Sequence, residues 1–251
     1  MPIALISDIH SNLEALRLVL DDIKERGVGR SVCLGDIIGY GPNPCECLDL
    51  IMDHCEWALM GNHDFAALYE PTSFNMPAES AAYWTRNQFE IEPDADIRRR
   101  RWEYLGNLLI RKDFDGVLCV HASPRKPINE YIFPDDVVTA RSKMEQIFEL
   151  IKLRCFTGHT HVTGVFTDEP DFYPPGELGG AYRFEEGEKC IVNPGSVGQP
   201  RDRDPRASYA IVHDDRVEFV RLAYDIEAVV DKVKAIPELN DFLGTRLLEG
   251  R

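Results

Sequence analysis

Short apolar runs that end in a carboxylate, an amide or an imidazole constrain this chain more than any other feature. Asp8 and His10 follow Pro2-Ile3-Ala4-Leu5-Ile6-Ser7, Asp36 follows Gly35, and Asn62 follows Gly61. His121 follows Gly116-Val117-Leu118-Cys119-Val120, and His159 with His161 follows a run ending at Thr157. The runs have the length and apolar content of buried β-strands. In open α/β sheets ligands gather in the crevice outside the carboxyl ends of the strands, so residues delivered by several strand ends converge on one place. Seven such residues, mixing carboxylate, amide oxygen and imidazole, read as ligands for two metal ions.

Spacing supports this reading. Positions two apart on a strand project the same way, so Asp8 and His10 are expected to reach one ion, and His159 and His161 to repeat the arrangement. Gly158 permits a close backbone approach beside them. Asp36 carries two acceptor oxygens and can bridge two cations. A mixed nitrogen and oxygen set suits manganese, iron or zinc better than magnesium, which prefers oxygen and water. Any one of these histidines, taken singly, reads as a hydrogen-bonded structural residue. Five of the seven histidines fall in the clusters, counting His63 next to Asn62, which reverses that reading. His54 and His213 sit at an ordinary helix end and strand end and are assigned no role.

A chain of 251 residues can bury the core of one α/β domain. Its 43 acidic and 28 basic residues give a formal charge of −15, which repels polyanions, so a long nucleic acid is not an expected partner. Arg98-Arg99-Arg100-Arg101 is the one dense basic cluster, and with Trp102 and Leu105 in helical period it reads as a solvated helix face. The seven cysteines contain no C-x-x-C pair. Cys33, Cys119 and Cys155 lie in strand-like runs and read as reduced core residues. Cys45 and Cys47, two apart on a helix, point away from each other. No apolar run reaches the length of a membrane span, and Met1-Pro2-Ile3-Ala4 enters a strand without a charged leader. The expectation is a cytoplasmic enzyme with no membrane partner, and nothing in the sequence speaks to its oligomeric state.

Along the chain, Asn12 caps a predicted helix from Leu13 to about Arg26 that Gly27 closes. Ser31 to Leu34 reads as a strand, Pro44 to about His54 as a helix and Glu56 to Met60 as a third strand, a doubly wound parallel opening. Ala78 to about Leu109 reads as one or two helices broken at Pro93. Leu109 to Phe114 and Gly116 to Val120 read as a hairpin turning at Asp115-Gly116. Pro124 to Pro134 has turn chemistry and no period, and reads as a loop at the crevice rim. A helix from about Pro134 to Leu150 leads into a strand at Arg154 to Thr157. Short strands at Gly164 to Thr167, Ala181 to Phe184, Lys189 to Val192, Ser208 to His213 and Arg216 to Ala223 suggest a second, more antiparallel sheet. The tail from Ile226 to about Leu248 is helical with a break at Pro237. The expected architecture is α/β, two mixed sheets packed face to face with helices outside, in a single domain over 1–251 whose helical extension starts near 226.

Taken in order, Asp8-Ile9-His10, Gly35-Asp36, Gly61-Asn62-His63-Asp64, His121 and Gly158-His159-Thr160-His161 resemble the five motifs of the calcineurin-like metallophosphoesterases. The segments from Gly35 to Pro44 and from Asn193 to Asp202 resemble the small bacterial and archaeal phosphodiesterases grouped with diadenosine tetraphosphatases and serine/threonine protein phosphatases. The resemblance runs from Met1 to about Ala223. It implies a four-layer αββα sandwich holding two divalent or trivalent ions, with manganese, iron, zinc and nickel the candidates. It also implies that Asp8, His10 and His161 hold one ion, Asn62, His121 and His159 the other, and that Asp36 bridges them. Two such ions about 4 Å apart would polarise a phosphoryl oxygen and hold a hydroxide for in-line attack. His63 would approach the phosphate or the leaving group. One position departs from the protein-phosphatase branch: the residue three after the bridging aspartate, an aspartate there, is Gly39 here, so His63 is expected to lack a carboxylate partner.

Arg201 and Arg206, after Asn193-Pro194-Gly195-Ser196, are secondary candidates for phosphate contact because guanidinium matches its geometry. Asp202 and Asp204 are their competing partners. Ser123 and Asn12 could line the site, with helix capping the plainer reading of Asn12. The leading function is hydrolysis of a small phosphorylated substrate. The alternatives are a phosphodiesterase or nucleotidase for cyclic or dinucleoside polyphosphates, and a non-catalytic scaffold of the same fold, against which His63 argues.

Overall fold

A computed structural model describes residues 1–114 and 116–251 of the chain. In chain order the elements are β1 (Ile3–Ile6), α1 (Leu13–Glu25), β2 (Ser31–Cys33), α2 (Pro44–His54), α3 (Asn62–Leu68), α4 (Met76–Glu90) and α5 (Ala95–Gly106). The middle of the chain supplies β3 (Arg111–Phe114), β4 (Val117–Val120), α6 (Asp136–Thr139), α7 (Arg141–Glu149) and β5 (Arg154–Phe156). There follow β6 (Gly164–Thr167), β7 (Asp171–Tyr173), β8 (Ala181–Arg183), β9 (Cys190–Asn193), β10 (Ala207–Val212) and β11 (Arg216–Leu222). The tail carries α8 (Ile226–Lys234), α9 (Asp241–Thr245) and a 3₁₀ turn at Arg246–Glu249.

The strands form a five-stranded sheet in the order β2-β1-β10-β11-β8 and a six-stranded sheet in the order β3-β4-β5-β9-β6-β7. Side-chain alternation along each strand builds the layers. Ala4 and Ile6 of β1 face a core shared with Leu16, Val19 and Leu48 of α1 and α2. Ile3 and Leu5 face the opposite way, against Phe156, Val165 and Val192 of the other sheet. Beyond that sheet, Cys155 and Ile191 pack on Met144, Ile147 and Phe148 of α7. Helix, sheet, sheet, helix is therefore the order of layers, as the sequence leads one to expect. Each large apolar side chain buried in it contributes roughly 1.5–3 kcal/mol.

Several expectations need correction. The C-terminal strands do not make a sheet of their own: β8, β10 and β11 join β1 and β2, while β6, β7 and β9 join β3, β4 and β5. Glu56 to Met60 is not a strand but an extended segment with single bridges from Ala58 to Cys33 and from Leu59 to Leu109. The helix expected from Pro134 to Leu150 is two, broken at Ala140. Hairpin β3–β4 forms in antiparallel register, with Phe114 opposite Val117, and its expected turn residue Asp115 lies outside the described residues. Arg101 is no solvated residue either. It is 7% exposed and its guanidinium is held by Asp49 at 2.6 Å and Glu92 at 2.8 Å, which ties α5 to α2. All seven cysteines are free, five of them buried. Among the described residues no helix is long and apolar enough to cross a membrane.

Candidate metal centre

Strand ends, loops and the first turn of α3 bring the seven candidate ligands to one place, six of them buried. Ligand atoms of Asp8, His10, Asp36 and His161 lie within 4.8 Å of one another, as do those of Asp36, His121 and His159. Asn62, the first residue of α3, brings its Oδ1 to 3.4 Å from His121 Nε2. Asp36 belongs to both groups, and its Oδ2 stands 3.6 Å from His10 Nε2 and 3.4 Å from His121 Nε2. One carboxylate oxygen thus faces both halves of the cluster.

The convergence is not produced by strand alternation, contrary to the expectation drawn from the spacing. β1 stops at Ile6, before Asp8. Asp8 (φ 54°), His10 (φ 48°), Asp36 (φ 52°), His159 (φ 68°) and His161 (φ 59°) instead adopt left-handed backbone that aims each side chain inward. That conformation costs a non-glycine residue about 1–2 kcal/mol. Five strained residues in one cluster mark a functional site, because such strain persists only where the surroundings enforce it.

Those surroundings are hydrogen bonds. The His159 amide donates to both Asp8 carboxylate oxygens, at 3.2 and 3.0 Å. A Cβ at Gly158 would stand 2.6 Å from Asp8 Oδ2, so the glycine there is required for close approach. Ser196 Oγ donates to the Asp8 carbonyl at 2.7 Å and Asn193 Nδ2 to the Gly158 carbonyl at 2.7 Å. The Asn193-Pro194-Gly195-Ser196 turn therefore braces two ligand loops. Asp64, buried beneath the cluster, accepts backbone N–H groups of Asp36, Ile37, Ile38 and Gly61 at 2.8 to 3.2 Å. Burial, aided by Asp36, pushes its carboxyl up to about 7.

Three histidines have their tautomer fixed by the backbone. Nδ1 of His10 donates to the Ile38 carbonyl at 3.3 Å, Nδ1 of His121 to the Leu34 carbonyl at 2.9 Å, and Nδ1 of His161 to the Gln199 carbonyl at 2.5 Å. In the neutral ring each Nε2 lone pair then faces the carboxylates, the state in which imidazole binds a cation. His10 Nε2 and His161 Nε2 stand 3.1 Å apart. Two acceptors at that distance repel unless a positive charge lies beside them. His159 Nε2 is buried with no partner among the described residues.

Protonation states agree. Burial drives His10 and His161 below the ordinary imidazole value and His159 down to about 3, leaving all three neutral at pH 7. Burial would raise Asp8 and Asp36, but His161 and His121 together outweigh it at Asp8, and His121, His63 and His10 together at Asp36, so both carboxyls sit below their usual range. His121 differs: Asp36 overcomes burial and lifts it to about 9. The negative charge responsible is one that would equally attract a cation. Neutral imidazoles, ionised carboxylates and an orphaned buried nitrogen fit metal ions.

His63 is buried at the edge of the cluster, with its backbone N–H 2.8 Å from Asp36 Oδ1. Its Nδ1 has no partner among the described residues, and a Cβ at Gly39 would lie 2.7 Å from it. Aromatic rings take the place of a carboxylate. His63 packs on Tyr40 at 4.2 Å, Phe74 at 4.6 Å and His10 at 4.8 Å between centroids. Burial lowers it to about 4, so it is a neutral ring at pH 7.

The secondary candidates separate. The Arg201 amide donates to the His161 carbonyl at 3.2 Å, and its guanidinium holds Gln199 at 2.7 Å and lies 5.9 Å from the Tyr40 ring, so it stands over the cluster. Arg206 is bound by Asp204 at 2.5 Å at an exposed position, while Asp202 pairs with Arg221 rather than Arg201. Asn12 caps α1 through Ala15 N at 3.1 Å and donates to the Gly198 carbonyl at 2.9 Å, which occupies both ends of its amide. The Ser123 hydroxyl is held by Glu130 within its own loop. Sequence reading missed Phe74 and Tyr131, the latter stacked on His159 at 3.9 Å. It also missed Arg246, which burial and neighbouring Arg201 lower to about 10. None of the three has a periodic or motif context that would single it out.

A sandwich of two mixed sheets whose loops gather aspartates and histidines into a buried, strained donor cluster has the makings of a metal-binding α/β protein. The profile of the calcineurin-like phosphoesterase family matches residues 1–163. An uncharacterized protein of Methanocaldococcus jannaschii is 40% identical over 258 residues, covering 99% of this chain and 98% of that one. Among solved structures, a metallophosphoesterase from Sphaerobacter thermophilus superposes with a TM-score of 0.83 at 35% identity over the whole of both chains. A hypothetical protein from Pyrococcus horikoshii shares the fold with a TM-score of 0.75 at 19% identity, over 100% of this chain and 98% of that one. The chain belongs to the calcineurin-like phosphoesterase family, and it is a metallophosphoesterase.

Proposed function

We propose that the protein hydrolyses a small phosphate ester at a two-ion centre. Asp8, His10 and His161 hold one ion, Asn62, His121 and His159 the other, and Asp36 bridges. Manganese, iron, zinc and nickel suit this mixture of imidazole and carboxylate. When bound, two cations supply positive charge to the phosphoryl oxygens and lower the pKa of the water that attacks in line. The observation that carries the reading is the pair of Nε2 atoms of His10 and His161, 3.1 Å apart with both Nδ1 hydrogens committed to carbonyls.

The chain's own groups account for the remaining tasks. Asp8 and Asp36 stay ionised and balance the cations, and their loops are fixed in advance by Asp64, Asn193 and Ser196. Arg201 receives a phosphate oxygen, since its hydrogen bonds to Gln199 engage Nε and Nη2 and leave donor positions for a second acceptor. A neutral His63 donates a hydrogen bond to the phosphate or the departing oxygen. Without a carboxylate to raise its proton affinity it is a weak acid catalyst, which favours esters with good leaving groups.

The test is a chelated protein reloaded in turn with Mn²⁺, Ni²⁺, Zn²⁺ and Mg²⁺ and given aryl phosphomonoesters and phosphodiesters. Turnover restored by a transition metal supports the reading, and the mono- to diester ratio fixes the bond class. Reloaded protein that hydrolyses no phosphoester would instead support a non-catalytic scaffold.

A further inference from the structure

A cavity of about 520 Å³ opens beside the centre, with Asn62 and His159 in its wall. That volume is in the range that houses a whole small organic molecule, well beyond the needs of a phosphoryl group alone. Phe65, Phe74, Ile110, Ile128 and Tyr131 are the large apolar side chains of its lining. Two of these rings also touch the centre itself: Phe74 packs on His63 at 4.6 Å, and Tyr131 lies nearly parallel on His159 at 3.9 Å. An occupant in contact with both rings is therefore adjacent to the place where phosphorus must sit.

The rim leaves apolar surface to solvent. Ile110 is 51% exposed, and Tyr131 stacks on Phe133, itself 47% exposed, at 5.0 Å. Ser73 holds left-handed backbone (φ 66°) at the turn that presents Phe74. The charged lining residues are Lys126 and Glu70, one of each sign, so the wall has no net preference for a second phosphate. Flat faces and balanced charge match an aromatic group of low charge.

We propose that this cavity receives the organic group esterified to the scissile phosphate, and that this group is aryl or heteroaromatic, lying against Phe74 and Tyr131. The assignment rests on the phosphoester reading above and narrows its substrate class. Removing Phe74 takes away one stacking face. Ile110→Trp, at a half-exposed position that tolerates bulk, narrows the mouth.

Methylphosphonate and phenylphosphonate carry the same anionic head and differ only in what enters the cavity. Their affinities for the metal-loaded protein are measured by calorimetry. Phenylphosphonate is expected to bind at least about tenfold more tightly, the scale of one apolar group in a fitting pocket. Phe74→Ala and Ile110→Trp are each expected to abolish most of that advantage while methylphosphonate still binds. Equal affinities in the unaltered protein, or an advantage that survives both substitutions, overturn the cavity assignment alone. Binding of neither phosphonate overturns the phosphoester reading and this assignment with it.

Discussion

His63 is held by ring packing where a carboxylate would ordinarily orient a histidine, and Gly39 is the reason. Its backbone is left-handed (φ 88°) and its absent Cβ leaves room for the imidazole, 2.7 Å from where that atom would stand. Gly39→Asp should therefore not restore a carboxylate partner. It should lower stability by about 1–2 kcal/mol from backbone conformation alone, displace His63, and reduce turnover. Urea unfolding together with kcat on an aryl phosphate checks this, and a faster variant would contradict it. The ring's own contribution depends on the leaving group. His63→Ala should lower kcat about a hundredfold on an alkyl phosphate, the low end of proton-transfer effects, and distinctly less on a nitrophenyl ester. Near-unchanged rates on the alkyl ester would remove His63 from the mechanism.

Among the elements, the segment after β2 and the start of α3 depend on one another through Asp64. Four backbone donors from these two stretches end on its carboxylate. Asp64→Ala leaves them buried without an acceptor, and should cost roughly 2–4 kcal/mol in urea unfolding together with loss of tight metal binding. A change under about 1 kcal/mol would mean that water replaces the carboxylate readily. This clamp was not legible in the sequence, where no helix is read between Met60 and Ala78 although α3 begins at Asn62. Periodic elements were legible. α1 runs from its Asn12 cap as its 3.6-residue pattern requires, and Pro93 separates α4 from α5. Allocation of strands to sheets was not, because β10 pairs with β1 across two hundred residues and local pattern is silent about partners. The candidate ligands were found by residue type and order, whereas their aiming by left-handed backbone became visible only in three dimensions.

For the molecule as a whole, we propose that residues 1–251 are one domain and that the extension from about 226 is part of the site wall. Leu243 and Leu247 of the extension line a small gap together with His10 and Tyr40, and Arg203 N donates to the Gly250 carbonyl at 3.0 Å. Leu243→Ala should cost about 2–4 kcal/mol, as for other buried leucines, and should impair turnover by loosening Tyr40 behind His63. Unfolding should be a single transition, and an early, separate loss of the C-terminal helices without loss of activity would refute the proposal. The proposed pair of cations would be held by loops that both sheets contribute. Anomalous scattering from crystals soaked in Mn²⁺ tests this proposal most directly. Two peaks per chain are expected, one among Asp8, His10 and His161 and one among Asn62, His121 and His159, with Asp36 between them. A map with no peak at these side chains would contradict it.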